Sequence, residues 1–444
     1  MARRHRSASL KPGKPQAELE LTIGMIGARG DGVAVAGDDR VFVPLTVAGD
    51  RVRVSLGPSS GEGRRGEVTA WLEQSSRRVA PVCPHFGVCG GCTLQHLPEP
   101  DYLAWKREQV NVALGRAGLS GEAAPIIATT PPGGQRRVSF SVSRRGKAIV
   151  AGFSCRLSHR LVDVLECPVL APHLVALLPV LRRSLIDVLA DGEKAEAVAS
   201  LLDGGIDLLL IGPSKLDLTA RLALAALAEA ADLGRLSWQP ESKTAPEPVA
   251  ARRPVWAWLG GVAVAVPPGG FLQASLEGQA ALIDAVLAGV GPGPGVVGDL
   301  FAGSGTFSLP LAQAGWRVHA VDGNAPALAA LARVATGLPG ALAGSATGVT
   351  TEGRNLDARP LTALELGRFS AVVFDPPRAG AVAQAAELAA STVAVVVAVS
   401  CNPATFARDA RVLSGGGYRL VSVLAVDQFL WSAHVELVAV FRRD

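Results

Sequence analysis

Three apolar runs in the C-terminal part of the chain each stop at a polar signature, and this pattern constrains the fold most. VVGDL runs into FAGSGTF, AVVF into DPPR, and VAVVVAV into SCNP. WRVHAVDG and HVELVAVFRR are two more such runs, and the amphipathic segment SLEGQAALIDAVLAGV precedes the first. Strands that stay apolar throughout are buried on both faces, which is the habit of parallel strands covered by helices. The spacing predicts an α/β domain over residues 266–444, a doubly wound Rossmann-like sheet. Such sheets bind ligands outside the carboxyl ends of their strands, where these signatures lie.

The remaining chain has a different texture. Residues 17–76 hold five short β-type runs (LELTIGMI, GVAVA, RVFVPLTV, DRVRVSL, GEVTAWL) separated by Gly and Asp turns. That spacing predicts a small OB-like barrel. Residues 1–16 carry five Lys or Arg and no acid, so they are expected to be a disordered basic tail. Residues 77–265 read as a central α+β domain: a helix over YLAWKREQVNVALGRAG, paired strands over 135–169, then alternating helix and strand patterns. The Pro- and charge-rich stretch 237–254 is expected to be a loop.

The first strand-end signature, DLFAGSGTF, is a Gly-rich turn leading to a helix expected to start near Thr306. Gly303 and Gly305 allow close backbone approach to a ligand. A dinucleotide fingerprint would need glycine at 308, where the chain has Ser308. The pattern therefore suits a ligand without phosphates, held by its amino acid and ribose parts. Asp322 ends the next strand, 19 residues after Gly303, and a carboxylate there can accept from both ribose hydroxyls.

Asp375 and Cys401 end two further strands and are expected to face the same crevice. Asn402-Pro403 breaks the strand after Cys401 and would present the thiol at the rim, where a lowered pKa would make it a nucleophile. Carbon 5 of uracil is too weak a nucleophile to take a methyl from a sulfonium unless a thiolate first adds to carbon 6. A base must then remove the carbon-5 proton, and Glu436 is the candidate. Cytosine-C5 RNA methyltransferases carry a second cysteine where this chain has DPPR, and N-methyltransferases with a DPPY-like motif place an aromatic where it has Arg378. Both differences favour uracil.

Three of six cysteines fall within ten residues, as Cys83-x5-Cys89-x2-Cys92, and Cys167-Pro168 follows 75 residues after Cys92. Four thiolates suit zinc or a [4Fe–4S] cluster. Cys155 competes for the fourth place; Cys167 is preferred for its following proline, which leaves Cys155 an ordinary buried thiol. The net charge is +4, which permits a polyanionic partner. Seven basic residues and no acid lie between 135 and 160 (Arg136, Arg137, Arg144, Arg145, Lys147, Arg156, Arg160), and Arg136 and Arg137 are expected to contact RNA phosphates. No apolar run follows the basic N-terminus, and Val393–Val399 is far shorter than the roughly 20 residues that span a bilayer. A soluble, cytoplasmic, monomeric protein without membrane association is expected.

These motifs together resemble the RNA 5-methyluridine (uracil-C5) methyltransferases that carry an N-terminal TRAM domain and an iron–sulfur cluster. The matching pieces are CPHFGVCGGCTLQH, FLQAS, DLFAGSGTF, DPPRAG, SCNPATFARD and HVELV, and the similarity runs from about residue 17 to 444. The resemblance implies Cys401 as nucleophile and Glu436 as base. It implies that Gln273, Phe301, Thr306, Asp322, Asn355 and Asp375 line an S-adenosylmethionine site. It also implies that Cys83, Cys89, Cys92 and Cys167 hold a [4Fe–4S] cluster. Ser275 stands where many members have Asn, and Asp322 where many have Glu. Members act on large-subunit ribosomal RNA or on the T-loop of transfer RNA. The barrel and cluster point to the 23S ribosomal RNA type.

Overall fold

The computed structural model describes residues 18–121, 123–156, 158–213, 216–241, 245–335 and 348–443; the basic tail lies outside them. The chain forms two compact units, one of residues up to Pro81 with Thr93–Glu99, the other of Val82–Cys92 with Pro100 onward.

The first unit is one six-stranded sheet in the order Glu18–Thr22, Arg51–Ser60, Gly63–Glu73, Asp39–Val43, Gly32–Ala36, Met25–Ile26. Alternate residues point inward, so Val41, Val43, Val52 and Val54 join Leu21, Ile23 and Ala34 in its core. The sheet curls: beyond the first strand, the Gly24 N–H donates to the Val33 carbonyl at 2.9 Å. Gly32 is required there, because a Cβ would lie 2.0 Å from Thr46 Oγ1. Buried Asp50 fastens the following loops, accepting from the N–H of Val47 (2.7 Å) and Ser75 (2.9 Å) and from Arg78 Nη1 (2.7 Å).

The second unit contains two large sheets. The central one has seven strands, ordered Leu161–Asp163, Ala148–Ser154, Arg137–Arg145, Lys194–Leu202, Gly205–Gly212, Arg235–Pro240, Glu247–Ala251. Helices Pro172–Ser184 and Leu218–Ala230 bury Leu174, Leu178, Leu224 and Leu227 in its core. Within the stretch 237–254, expected to be a loop, parts of Arg235–Pro240 and Glu247–Ala251 instead pair as strands, with Trp238 opposite Glu247; residues 242–244 lie outside the described residues. Burial of Trp238, which is 1% exposed, outweighs the local Pro and charge content.

The other sheet has eight strands: Val349–Gly353, Arg317–Asp322, Val296–Leu300, Ala371–Phe374, Val395–Ser400, Glu436–Arg442, Arg419–Asp427, Ile126–Thr129. The first five are parallel, and Glu436–Arg442 runs antiparallel between its neighbours. The α/β expectation therefore holds. Strand order reverses between Val296–Leu300 and Ala371–Phe374, which opens a crevice at their carboxyl ends. The edge strand Ile126–Thr129 pairs with Arg419–Asp427, so a segment read from sequence as central completes the C-terminal sheet. Among the described residues no helix is long and apolar enough to cross a membrane.

Candidate active site

The strand Val296–Leu300 ends in a left-handed turn at Phe301, which has φ +63°. A non-glycine residue there is strained, and such strain concentrates at functional sites. Phe301 and Ala302 both donate their N–H to the Val321 carbonyl (2.9 and 3.2 Å), which folds the loop over the neighbouring strand. Gly305 has φ +97°, and a Cβ on it would sit 2.5 Å from Leu331 Cδ1. At Gly303 a Cβ would meet nothing within 4 Å, so that side of the loop is open. The helix starts at Ser308, two residues later than expected, with Thr306 half-buried in the preceding turn.

Asp322 Oδ2 accepts the Gly303 N–H at 2.8 Å, and its Oδ1 accepts the Asn324 N–H at 2.5 Å. Asn355 lies beside it, because the strands ending at Asp322 and Gly353 pair and Arg354 donates its N–H to the Asp322 carbonyl at 3.0 Å. Asn355 Oδ1 accepts from the N–H of Asp357 and Ala358 (3.0 and 3.1 Å), shaping that loop. Beneath the Gly loop, fully buried Asp299 accepts from Ser308 Oγ at 2.5 Å, while its Oδ1 has no partner. Burial pushes the Asp299 carboxyl up to about 7; the nearby carboxylates of Asp375 and Asp322 add to that rise and the Ser308 hydrogen bond opposes it.

Gln273 is 4% exposed and is held from both sides. Its Oε1 accepts from Gln428 Nε2 at 2.8 Å, and its carbonyl accepts from Arg136 Nε at 3.1 Å. Ser275 caps the next helix, Leu276–Val290, by accepting the Gly278 N–H at 3.0 Å. Serine is among the favoured N-cap residues, and asparagine would cap equally well.

The antiparallel register pairs Ser400 with Leu437, so the next residues along, Cys401 and Glu436, emerge side by side. Asp375 follows a strand paired with that of Cys401. The DPPR and SCNP loops are stitched together: Asn402 Nδ2 and Thr405 Oγ1 both donate to the Arg378 carbonyl (3.2 and 3.1 Å). Burial pushes Glu436 up to about 8, with Asp375 adding and the Lys106 charge opposing. Asp375 is pushed up to about 7 by burial. Cys401 does not have the lowered pKa expected of a ready nucleophile. Burial drives its thiol up to about 11, the charges of Glu436 and Asp375 add to this, and its own backbone N–H and then Arg378 oppose it.

Behind Glu436 lies a buried network that the sequence reading passes over. Lys106, on helix Glu99–Arg116, is 0% exposed and pairs with Asp427. Its ammonium also donates to the carbonyls of Phe429 (3.1 Å) and His434 (2.6 Å). Tyr102 donates to Asp427 at 2.5 Å and accepts the Trp431 N–H at 2.8 Å. The signal was present: Tyr102, Lys106, Val110 and Leu114 recur every four residues, so Lys106 lies on the helix's buried stripe.

The basic segment is also corrected. Arg136 is 7% exposed, and besides Gln273 it donates to Gln279 Oε1 at 2.7 Å. It ties the central sheet to the helix after Gln273 and is not presented to a phosphate. Arg144 donates to the carbonyls of Ile186 and Leu189 (2.7 and 2.6 Å). Arg137 lies over the Phe271 ring at 5.2 Å.

None of the six cysteines is in a disulfide. The fold brings Cys89 within electrostatic reach of Cys167, Cys83 and Cys155, and an isolated β-bridge joins Cys89 to Cys155. Cys155 is buried, and its sulfur accepts from Arg160 Nε at 3.3 Å. Backbone N–H groups serve two of the sulfurs: Gly91 donates to Cys89 Sγ at 3.4 Å, and those of Val169 and Leu170 reach Cys167. Among the described residues no three His, Cys, Asp or Glu side chains are gathered to hold a metal ion.

Comparisons with known proteins agree with the fold. Residues 271–443 match the family described as tRNA (Uracil-5-)-methyltransferase. A Caulobacter vibrioides protein named "Uncharacterized RNA methyltransferase" is 43% identical over 96% of this chain and 100% of its own length. The Enterobacter sp. protein named 23S rRNA (uracil(1939)-C(5))-methyltransferase RlmD is 33% identical over 93% of this chain and 94% of its own length. In fold, the chain is similar to the Pyrococcus abyssi tRNA (uracil-54, C5)-methyltransferase solved with S-adenosyl-L-homocysteine, with a TM-score of 0.70, 23% identity, and 95% of this chain and 100% of that one covered. Full-length similarity at these identities, together with the family match over the crevice-bearing sheet, places the chain in the tRNA (uracil-5-)-methyltransferase family of RNA methyltransferases.

Proposed function

We propose that the protein methylates carbon 5 of a uridine in 23S ribosomal RNA through a covalent adduct between Cys401 and carbon 6. The observation that carries this is the strand register that sets Cys401 beside Glu436, with Asp375 on the adjoining strand end. The crevice fits S-adenosylmethionine: an open Gly loop, the Asp322 carboxylate and the unpartnered oxygen of buried Asp299 suit a ribose and an amino group. Gln273, Phe301, Thr306, Asp322, Asn355 and Asp375 would hold it. When bound there, S-adenosylmethionine supplies an electrophilic methyl group.

The protein's own residues then have distinct tasks. Cys401 Sγ bonds to carbon 6, the carbon 5–carbon 6 π pair moves towards O4 as an enolate, and the thiol proton passes to Asp375. That route leaves Glu436 ionised for the later step. The enolate pair at carbon 5 takes the methyl group, the broken C–S bond's pair staying on the donor sulfur as a neutral thioether, and Glu436 removes the carbon-5 proton. The electron pair of that C–H bond re-forms the carbon 5–carbon 6 double bond and expels Cys401, which recovers its proton from Asp375. A carboxyl poised at about 8 suits a base that must both take and shed a proton near neutrality. Arg378, exposed at the rim, is placed to meet the uracil or its phosphate.

The curled N-terminal sheet is read as the TRAM barrel and would contribute to RNA binding. The thiols of Cys83, Cys89, Cys92 and Cys167 have the right donor chemistry for a [4Fe–4S] cluster, and amide donors to sulfur are typical of such sites. Iron and sulfide assays on anaerobically purified protein, with Cys89→Ala as control, test this assignment. Nucleoside mass spectrometry tests the main proposal. 5-Methyluridine forms with unmodified 23S ribosomal RNA and not with transfer RNA. Product only in transfer RNA would overturn the substrate, and product in neither would overturn the reaction.

A further inference from the structure

Lys106 comes from a helix remote in sequence, yet its ammonium is spent entirely on the hairpin loop that delivers Glu436. It pairs with Asp427, the last residue of one strand, and donates to the carbonyls of Phe429 and His434. Tyr102, one turn earlier, binds the same Asp427 and takes the Trp431 N–H. Residues 427–434 are thus fixed at four points, two residues before Glu436. The loop needs fixing, since Trp431 sits in the left-handed region at φ +56°. A fully buried lysine is costly, and a hydrophobic residue of similar length would fill the space with less desolvation. Burial pushes the Lys106 ammonium below its usual range, while the Asp427 carboxylate and then Glu436 act to keep it charged.

We propose that Lys106 is a positioning residue for proton abstraction: it pins the Asp427–His434 hairpin loop that delivers Glu436 and sets its ammonium behind that carboxyl. The proposal rests on Glu436 being the base. The charged and titratable groups facing Glu436 are Asp375 and Cys401 from the neighbouring strand ends and Lys106 from the helix behind. Asp375 disfavours ionisation of Glu436 and Lys106 is the cation that counters it. His434, also near Lys106 and Arg378, is held below its usual range by burial first and then by those cations, so it adds no second positive charge at neutral pH.

The test uses the full-length protein, S-adenosylmethionine and ribosomal RNA, with Glu436→Gln, Lys106→Met, and the double variant Lys106→Met with Asp427→Asn. The double variant leaves no orphaned buried charge, and its melting curve and methyl-donor affinity confirm an intact fold. Adduct formation is followed as an RNA–protein band that survives denaturation, and release as free 5-methyluridine product. Glu436→Gln accumulates methylated adduct; if it does not, the base assignment itself is wrong. With that established, the lysine variants form adduct at near the native rate, release product at least about tenfold more slowly, and accumulate the same adduct. Removing a cation raises the carboxyl's pKa, so the acid limb of the release rate moves to higher pH. A merely structural lysine would slow formation and release alike and leave the limb in place. That result, or native release by the folded double variant, overturns the proposal.

Discussion

Replacing Arg136 with methionine tests whether the basic run at 135–160 is surface or skeleton. Sequence alone suggests phosphate contacts, but the guanidinium donates to the Gln273 carbonyl at 3.1 Å and to Gln279 Oε1 at 2.7 Å. Burial works against its charge, and Asp203 and Glu277 support it. Two hydrogen bonds from a charged donor contribute about 3–6 kcal/mol, and methionine's packing recovers part, leaving a net loss of roughly 2–4 kcal/mol. For a unit of this size that lowers the apparent melting temperature by roughly 3–5 °C. Calorimetry reads the shift, and RNA binding over a salt series reads the phosphate role. A lost phosphate contact would flatten the log–log salt slope by about 0.7–0.9. The expected outcome is a lowered melting temperature with an unchanged slope. A native melting curve with a flattened slope would refute the structural role and restore the phosphate contact.

Glu436, with its carboxyl raised from 4.5 to about 8, stabilises the fold fully only below pH 4.5 and loses that contribution as pH rises through about 8. Asp299 and Asp375 lose theirs through about 7, so melting temperature falls from pH 5 to pH 9, and Glu436→Gln flattens the upper part of that fall. Turnover, which needs Glu436 ionised, rises over the same upper range; a flat rate profile would remove it as base. Gly305→Ala, at φ +97° with Leu331 Cδ1 2.5 Å from the new methyl, distorts the loop, and titration calorimetry should show at least about tenfold weaker methyl-donor binding. Cys401→Ala, half-buried at a strand end, leaves melting unchanged to within roughly 1 kcal/mol of stability but abolishes product.

The C-terminal sheet was legible because its strands are buried on both faces, so each reads as an unbroken apolar run ending at a chemical signature. The pairing of Cys401 with Glu436 was not legible, although each was named for its chemistry, since register between Val395–Ser400 and Glu436–Arg442 depends on contacts across the sheet. Ile126–Thr129 gave no sign of joining that sheet, because four residues carry no record of a partner some 300 positions away. Arg136 misled because a charge run looks the same whether solvated or committed to carbonyls. Lys106 was overlooked although the four-residue period placed it on the buried stripe; a charge at such a position is a legible anomaly, but its partner Asp427 is not.

The most direct test of the central claim is a crosslink with RNA carrying 5-fluorouridine at the target. Fluorine at carbon 5 cannot be removed as a proton is, so an adduct that reaches the methylated stage stays attached. The expected result is a complex that survives denaturation, requires S-adenosylmethionine, and maps by peptide mass spectrometry to Cys401. A crosslink to another residue, or none from a preparation that still makes 5-methyluridine, would contradict it.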